Sequence, residues 1–338
     1  MKKFFTLSLC MLMLASSLIG CNKAETSTTP DAEQGEEAVV ASTVKFGAGL
    51  YVGTPAVTDA TEDKDGTGKL DVTVAAVTVD ADGKIVSCEL DTASNTVSFT
   101  ADGKAVASEG FMPKYEQGDA YNMVAYGGAV AEWYAQADAF EALATGKTLD
   151  EIKALVAEAN KGTEEVVNAG CTIMIHEFVG AIEDAYNKLS ADVSADYALD
   201  VNVATEQTCT DATEEKDGSN KLAVNVFASA VDADGKIAAA SSDCVEVEFT
   251  FDMAGVSTLD TTKPVVSKKD KGADYGMVAY GGAALEWFEQ AAAFDAVCVG
   301  KTPAEIAGFV GEDGRGTSDV QSAGCTIYVT GFVKAATK

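Results

Sequence analysis

The chain has a single histidine, no two cysteines at CxxC spacing, and fewer than half as many basic as acidic residues. One histidine without CxxC excludes the common zinc and haem ligand sets. No serine–histidine pair, carboxylate dyad or metal cluster marks a hydrolase. His176 stands where the internal repeat has Thr330, so it reads as an ordinary surface or half-buried residue. Positive charge is scarce: 24 Lys and Arg face 53 Asp and Glu, a formal charge of -29. Without Lys2 and Lys3 the balance is 22 against 53, or -31. Such a surface repels nucleic acid phosphates and anionic headgroups, and suits an exported body or one docking on a basic partner. Hydrophobic residues make up 47%, enough to fill two ordinary cores.

Residues 1–20 have the layout of a secretory signal: Lys2 and Lys3, then an apolar run from Phe4 to Ile19, too short for a membrane span. Leu18-Ile19-Gly20-Cys21 matches the bacterial lipoprotein signal, in which Cys21 becomes the lipidated first residue. A plain cleaved signal is the alternative. The expectation is a lipid anchor on the extracytoplasmic face of the cell membrane. Residues 21–43, rich in Thr, Ser, Glu and Ala, cannot offset the entropy of folding and read as a disordered tether.

The rest is written twice. MVAYGGAVAEWYAQADAFEALATGKT at 123–148 returns as MVAYGGAALEWFEQAAAFDAVCVGKT at 277–302, an offset of 154 residues. NAGCTIMIHEFVGAIEDA at 168–185 returns as SAGCTIYVTGFVKAAT at 322–337. Upstream, KLDVTVAAVTVDADGKI and KLAVNVFASAVDADGKI are offset by 152. Two homologous domains are therefore expected, at 44–189 and 197–338, joined by a short acidic stretch that permits either a hinge or a fixed contact.

Within each copy, Lys69 to Val79 reads as a strand whose apolar parity changes, through a bulge or burial of both faces. Asp82-Gly83 marks a hairpin turn and Asp102-Gly103 another; calcium-loop readings lack the glutamate at the loop's twelfth position. The spacing of Val130, Trp133, Tyr134, Ala137 and Phe140 predicts a helix from Ala129 to Ala144, stopped at Gly146. Thr148 with Glu151 forms a capping box for a helix to about Ala159, and a last helix runs from about Met174 to Leu189. In the second copy Thr302-Pro303 starts the equivalent helix, and 311–319 reads as a flexible Gly-rich connection. The expected class is α+β, each domain a twisted antiparallel sheet packed against several helices.

Six cysteines remain beyond the amino-terminal segment: Cys88, Cys171, Cys209, Cys244, Cys298 and Cys325. An even number in an exported chain favours disulfides. The repeat suggests Cys88–Cys171 and Cys244–Cys325, leaving Cys209–Cys298.

A strand ending VDADGKI, a helix with EW…Q followed by GKT, and a Gly-x-Thr-Ile element before the terminal helix together resemble the FMN-binding domain. The closest resemblance is to the flavin-carrying surface lipoproteins of bacterial extracellular electron transfer; a more distant one is to the flavin-bearing subunits of sodium-pumping and Rnf-type complexes. In that family a flavin transferase attaches FMN through its phosphate to the threonine ending a D-x-x-S/T-G-A-T motif. The resemblance places that threonine at Thr172 and Thr326, and the glycine at Gly170 and Gly324. Cys171 and Cys325 stand for the alanine, Ala169 and Ala323 for the Ser/Thr, and Val166 and Val320 for the acidic residue, with Asp319 one residue off register. The attachment is thus left open between threonine-linked and non-covalent. Without flavin, the two threonines read as caps of the terminal helix.

Tyr126, Gly127 and Gly128, with Tyr280, Gly281 and Gly282, offer a stackable ring and close backbone approach for a planar ligand. Lys147 and Lys301 are candidates to meet its phosphate, or lie on the surface beside a helix start. Trp133 and Trp287 line the slot for such a ligand or simply fill each core. The resemblance implies an electron carrier more than a catalyst with its own substrate, taking electrons from a membrane donor to a basic or small-molecule acceptor. The alternative is a cell-surface ligand-binding or interaction lipoprotein that kept the fold and lost the flavin, with disulfides at Cys171 and Cys325 sealing the former site.

Overall fold

A computed structural model describes residues 43–338 apart from 109 and 195. The signal, Cys21 and most of the tether lie outside the described residues. The first copy opens with β1 (Thr43–Val52), β2 (Ala56–Thr58), β3 (Gly66–Val79), β4 (Ile85–Phe99) and β5 (Ala105–Val106). Helices α1 (Lys114–Gln117), α2 (Met123–Gly127), α3 (Trp133–Ala144), α4 (Leu149–Lys153), α5 (Glu164–Ala169) and α6 (His176–Asn187) follow. After β6 (Ala191–Ser194) the second copy runs β7 (Tyr197–Thr210), β8 (Gly218–Asp232) and β9 (Ile237–Phe251). It continues with α7 (Lys268–Lys271), α8 (Trp287–Cys298), α9 (Pro303–Ile306), α10 (Ser318–Ser322) and α11 (Thr330–Ala336). The class is α+β, with two antiparallel sheets: β5-β4-β3-β1-β6, with β2 also on β3, and β7-β8-β9.

The central strands are buried on both faces, which is why their apolar parity shifts. Leu70, Val72, Val74 and Ala76 of β3 face inward and meet Leu222, Val224, Val226 and Ala228 of β8 in one core between the sheets. Ala75, Val77 and Val79 face outward, under α3 and α6. A bulge is present as well, at Thr78/Val79 and again at Ala230/Val231. The order of layers is therefore helices, sheet, sheet, helices.

Residues 43–338 pack as a single body. Ala191–Ser194, expected as linker, is instead an edge strand on β1, with Val193 in the shared core. Contacts across the seam are reciprocal. Ala60 N–H donates to Gly255 O at 2.8 Å, and its repeat partner Ala212 N–H donates to Gly103 O at 2.8 Å. Phe99 stacks on its own counterpart Phe251 with centroids 4.4 Å apart and planes 5° apart. Such mutual pairs are what a two-fold axis through the seam requires.

Two helices differ from expectation. The Trp helix starts at Trp133 rather than Ala129, because Glu132 turns its carboxylate back onto the Met123 and Val124 N–H groups at 2.8 and 3.1 Å. The next helix keeps its Thr148–Glu151 capping box but ends at Lys153, since Val156 pairs with Gly162 to form a turn. In the second copy the capping box at Thr302, with Pro303 at the first helical position, is present and the helix ends at Ile306. β4 runs unbroken through Asn95–Phe99.

Packing also shows how the copies diverged. Gly49 lets α6 lie directly on β1: a Cβ there would sit 2.0 Å from Ala185 N. Under the last helix, Thr73 and Glu177 of the first copy share a hydrogen bond of 3.2 Å. The second copy has Asn225 and Gly331 there, and a Cβ at Gly331 would lie 2.3 Å from the Asn225 amide.

Candidate functional site

The AGCT corner follows α5 in the first copy and α10 in the second. Gly170 and Gly324 adopt left-handed φ of 108° and 109°, closing those short helices. The next residue turns inward: Cys171 and Cys325 are fully buried. Thr172 and Thr326 then point outward and are exposed.

Each threonine is held from beneath by one glutamine. Gln136 of α3 is buried, and its Oε1 accepts from Thr172 N–H at 2.8 Å and from Thr172 Oγ1–H at 2.9 Å. Its Nε2 donates to Ala131 O at 2.8 Å. Gln290 repeats the arrangement, accepting both Thr326 bonds at 2.8 Å and donating to Leu285 O at 3.0 Å. A buried amide is tolerated only when its polar atoms are bonded, and here each of the two does work. The hydroxyl proton is directed inward, so the oxygen's lone pairs face solvent. Helix capping does not explain these threonines, because α6 and α11 begin later, after Ile175 and Val329.

The same glutamine links the corner to the YGG loop. Ala131 and Leu285 end that loop, and Glu132 and Glu286 tie its start to the helix entry. Gly128 and Gly282 have φ of 63° and 66°, and Tyr126 and Tyr280 project outward with 89% and 92% of their surface exposed. The loop and the threonine thus share the amino-terminal end of the Trp helix in each copy.

Trp133 and Trp287 are core. They sit edge-on to Phe178 and Phe332, with Lys114 and Lys268 ammonium groups each 5.6 Å above the indole. Burial alone would lower the Lys268 ammonium, but Cys244 and Glu246 beside it hold it above its ordinary value.

Lys147 and Lys301 are not brought to the threonines. They lie beyond the far end of the helix whose first turn carries the glutamine, about 12 Å along its axis. Lys147 pairs there with Glu165 at 2.8 Å. The cations the structure does place near the corners are Lys161 and Arg315, which sequence reasoning misses. Lys161 pairs with Met174 and Arg315 with Tyr328, each partner two residues past its threonine. The segment 311–319, expected to be a flexible connection, is an ordered turn: Gly311 N–H donates to Arg315 O at 2.7 Å and Val329 N–H to Gly314 O at 3.0 Å.

The expected disulfides are absent: Cys88, Cys171, Cys209, Cys244, Cys298 and Cys325 are all free thiols. The repeat argument for those pairings fails on register. Cys88 faces Val77, whose repeat partner Ser229 faces Ala240, so Cys244 is four residues away from the place equivalent to Cys88. Cys209 is exposed at the end of β7 with its thiol on Asn220 at 3.3 Å, whereas Cys298 is buried in the helix layer. Burial pushes the Cys171 and Cys325 thiols up to about 11, so neither is a nucleophile at neutral pH.

The acidic position of the flavin motif is occupied by Val166 and Val320, fully buried beneath the corner, where a charge has no place. His176 packs edge-on against Tyr51 at 5.5 Å. An open cavity of about 740 Å³ lies elsewhere, lined by residues of the Thr61–Thr67 turn with Thr100 and Asp102. Among the described residues, no three His, Cys, Asp or Glu side chains gather as a metal site requires. Comparison with protein-family models, with curated proteins and with solved structures found no match to this chain.

Proposed function

We propose that the chain is an extracytoplasmic, membrane-anchored electron-transfer lipoprotein that carries FMN at Thr172 and Thr326. One observation carries the reading: a solvent-facing threonine hydroxyl, clamped by a buried glutamine beside a loop with an outward tyrosine, is built twice. A residue needed only to finish a helix would not have a buried amide dedicated to it in both copies.

The residues fit such a group in its threonine-linked form, through an accessible oxygen whose lone pairs face out. They also fit the non-covalent form, through Tyr126 or Tyr280 as a surface to stack on. FMN, when bound, supplies reversible electron uptake; the protein's part is to bind and orient it. Thr172 and Thr326 lie in the two outer helical layers, on opposite sides of the paired sheets. Each therefore meets donor or acceptor on its own face. Membrane attachment through Cys21, a membrane electron donor, and a basic or small-molecule acceptor complete the reading on sequence grounds.

The second reading, a flavin-free interaction module, expects disulfides sealing the corners. Free, buried thiols under exposed threonines favour the first. The test is intact mass and visible absorption of the mature chain, produced with and without its flavin transferase, followed by FMN titration. One or two flavin adducts, each lost in Thr172→Ala or Thr326→Ala, support attachment. A colourless chain that also fails to bind added FMN refutes the proposal.

A further inference from the structure

Arg315 is the only arginine in the chain, and the protein sets it at the second corner. The turn from Gly311 to Gly316 is closed by the Val310–Gly316 and Arg315–Tyr328 pairings. Gly314, at φ 81°, lies against the Tyr328 ring, leaving 3.4 Å between Cδ1 and any Cβ placed there. The guanidinium lies over that ring, its Cζ 5.4 Å from the centroid. Burial alternates along the segment: Cys325, Ile327 and Val329 point in, while Thr326 and Tyr328 point out. Thr326 and Tyr328 therefore share a face, within about 7 Å of each other, the most that two extended residues allow.

A cation–π contact leaves the N–H groups of a guanidinium available to an anion. Among the described residues no carboxylate forms an ion pair with Arg315; Asp313 accepts only its backbone N–H, at 3.0 Å. An unneutralised cation stands out on a chain with a formal charge of -29. The first copy has the same turn and pairing, but with Lys161 opposite Met174. A lysine is a compact point charge without the planar fork, and Met174 offers it no aromatic face.

We propose that Arg315, held over Tyr328, receives the phosphate of a phosphorylated planar ligand at Thr326, making the second corner the anion-selective one. Lys161 is its weaker counterpart beside Thr172. This rests on the flavin reading above and adds which residue meets the phosphate. It replaces Lys147 and Lys301 in that role. Glu312, Asp313 and Asp319 lie close to Arg315 in the sequence and oppose an anion, so the contact rests on the directed N–H bonds of the guanidinium.

The test uses the full mature chain in detergent, titrated with FMN and with riboflavin, which lacks the phosphate. The variants are Arg315→Gln, Arg315→Lys and Lys161→Gln. A charge-assisted bond to phosphate predicts that FMN binds about tenfold or more tightly than riboflavin at one site. Arg315→Gln should remove that preference and leave riboflavin affinity unchanged, Arg315→Lys should restore part of it, and Lys161→Gln should have the smaller effect. Arg315 is exposed, so these variants keep the fold, and an unchanged melting temperature confirms it. A preference that survives in Arg315→Gln overturns the assignment of Arg315 while the flavin reading stands. Equal binding of both ligands by the unaltered chain overturns phosphate recognition and leaves flavin binding intact. Binding of neither overturns both.

Discussion

Replacing Gln290 with glutamate tests the clamp beneath Thr326 at one atom. Glutamate keeps the oxygen that accepts both Thr326 bonds at 2.8 Å, but exchanges the Nε2–H donor facing Leu285 O at 3.0 Å for a second oxygen. Protonated, that oxygen donates to the carbonyl and the site is nearly restored. Ionised, two oxygens face each other in a place with almost no solvent. An ordinary glutamate ionises near about 4.3, and burial raises such groups by up to about 3–5 units. The two Thr326 donors favour the charged form and offset part of this, so we take a rise of about two units. At about 1.4 kcal/mol per unit, that is about 3 kcal/mol. For an acid with a raised folded pKa, stability is intact below the unfolded value and lost as pH rises through the folded one. Gln290→Glu should therefore match the unaltered protein near about pH 4 and fall about 3 kcal/mol below it by about pH 8. Gln290→Leu, which breaks three bonds worth about 1 kcal/mol each, should lose about 2–3 kcal/mol at every pH. Urea unfolding of the three proteins across this range, read as differences from the unaltered chain, gives the answer. A Gln290→Glu difference that is flat with pH would refute the assignment of Nε2 to the carbonyl, and with it the orientation of the threonine.

Three further expectations follow from the packing and the thiols. Phe99→Ala or Phe251→Ala, each removing a fully buried ring from the seam, should cost about 3–5 kcal/mol, and urea unfolding should remain a single transition because the sheets share one core. Gly49→Ala, with its new Cβ 2.0 Å from Ala185 N, should be severely destabilising by the same assay, while Gly127→Ala, in open space, should be neutral or slightly stabilising. Among the described cysteines only Cys209 is exposed, so a thiol reagent should label one of these six in the folded chain and the other five after denaturation; labelling should be slow at neutral pH, since partial burial and Asp211 hold Cys209 above its ordinary value.

Local chemistry was readable from the residues wherever it is self-contained. The Thr148–Glu151 and Thr302–Glu305 caps, the Asp-Gly turns and the double-faced burial of β3 all follow from short spacings. What depends on distant partners was not. Nothing in residues 190–196 signals that Val193 enters a core built with the second copy. Glu132 looks like one more helix residue until its carboxylate is seen to close the loop at Met123. Gln136 and Gln290 did leave a trace, a glutamine on the apolar stripe three residues after the tryptophan in both copies. Their role appears only once Thr172 and Thr326 arrive 36 residues later. The cysteines misled because matching them by approximate position ignores strand register, and a shift of four residues moves a side chain to a different neighbour. Lys147 and Lys301 misled for a similar reason: identity between the copies marks them as important to the unit, not as near its threonine.

The paired bonds of Ala60 with Gly255 and of Ala212 with Gly103 are those by which two identical chains would join face to face. A single copy, cut out and produced alone, would leave its inward sheet bare and find its mate in another molecule like itself. Joining two copies in one polypeptide made that encounter independent of concentration. It also released them from having to stay alike. The lone arginine at 315, set against a lysine at 161, is a difference that only the fused arrangement could fix on one side.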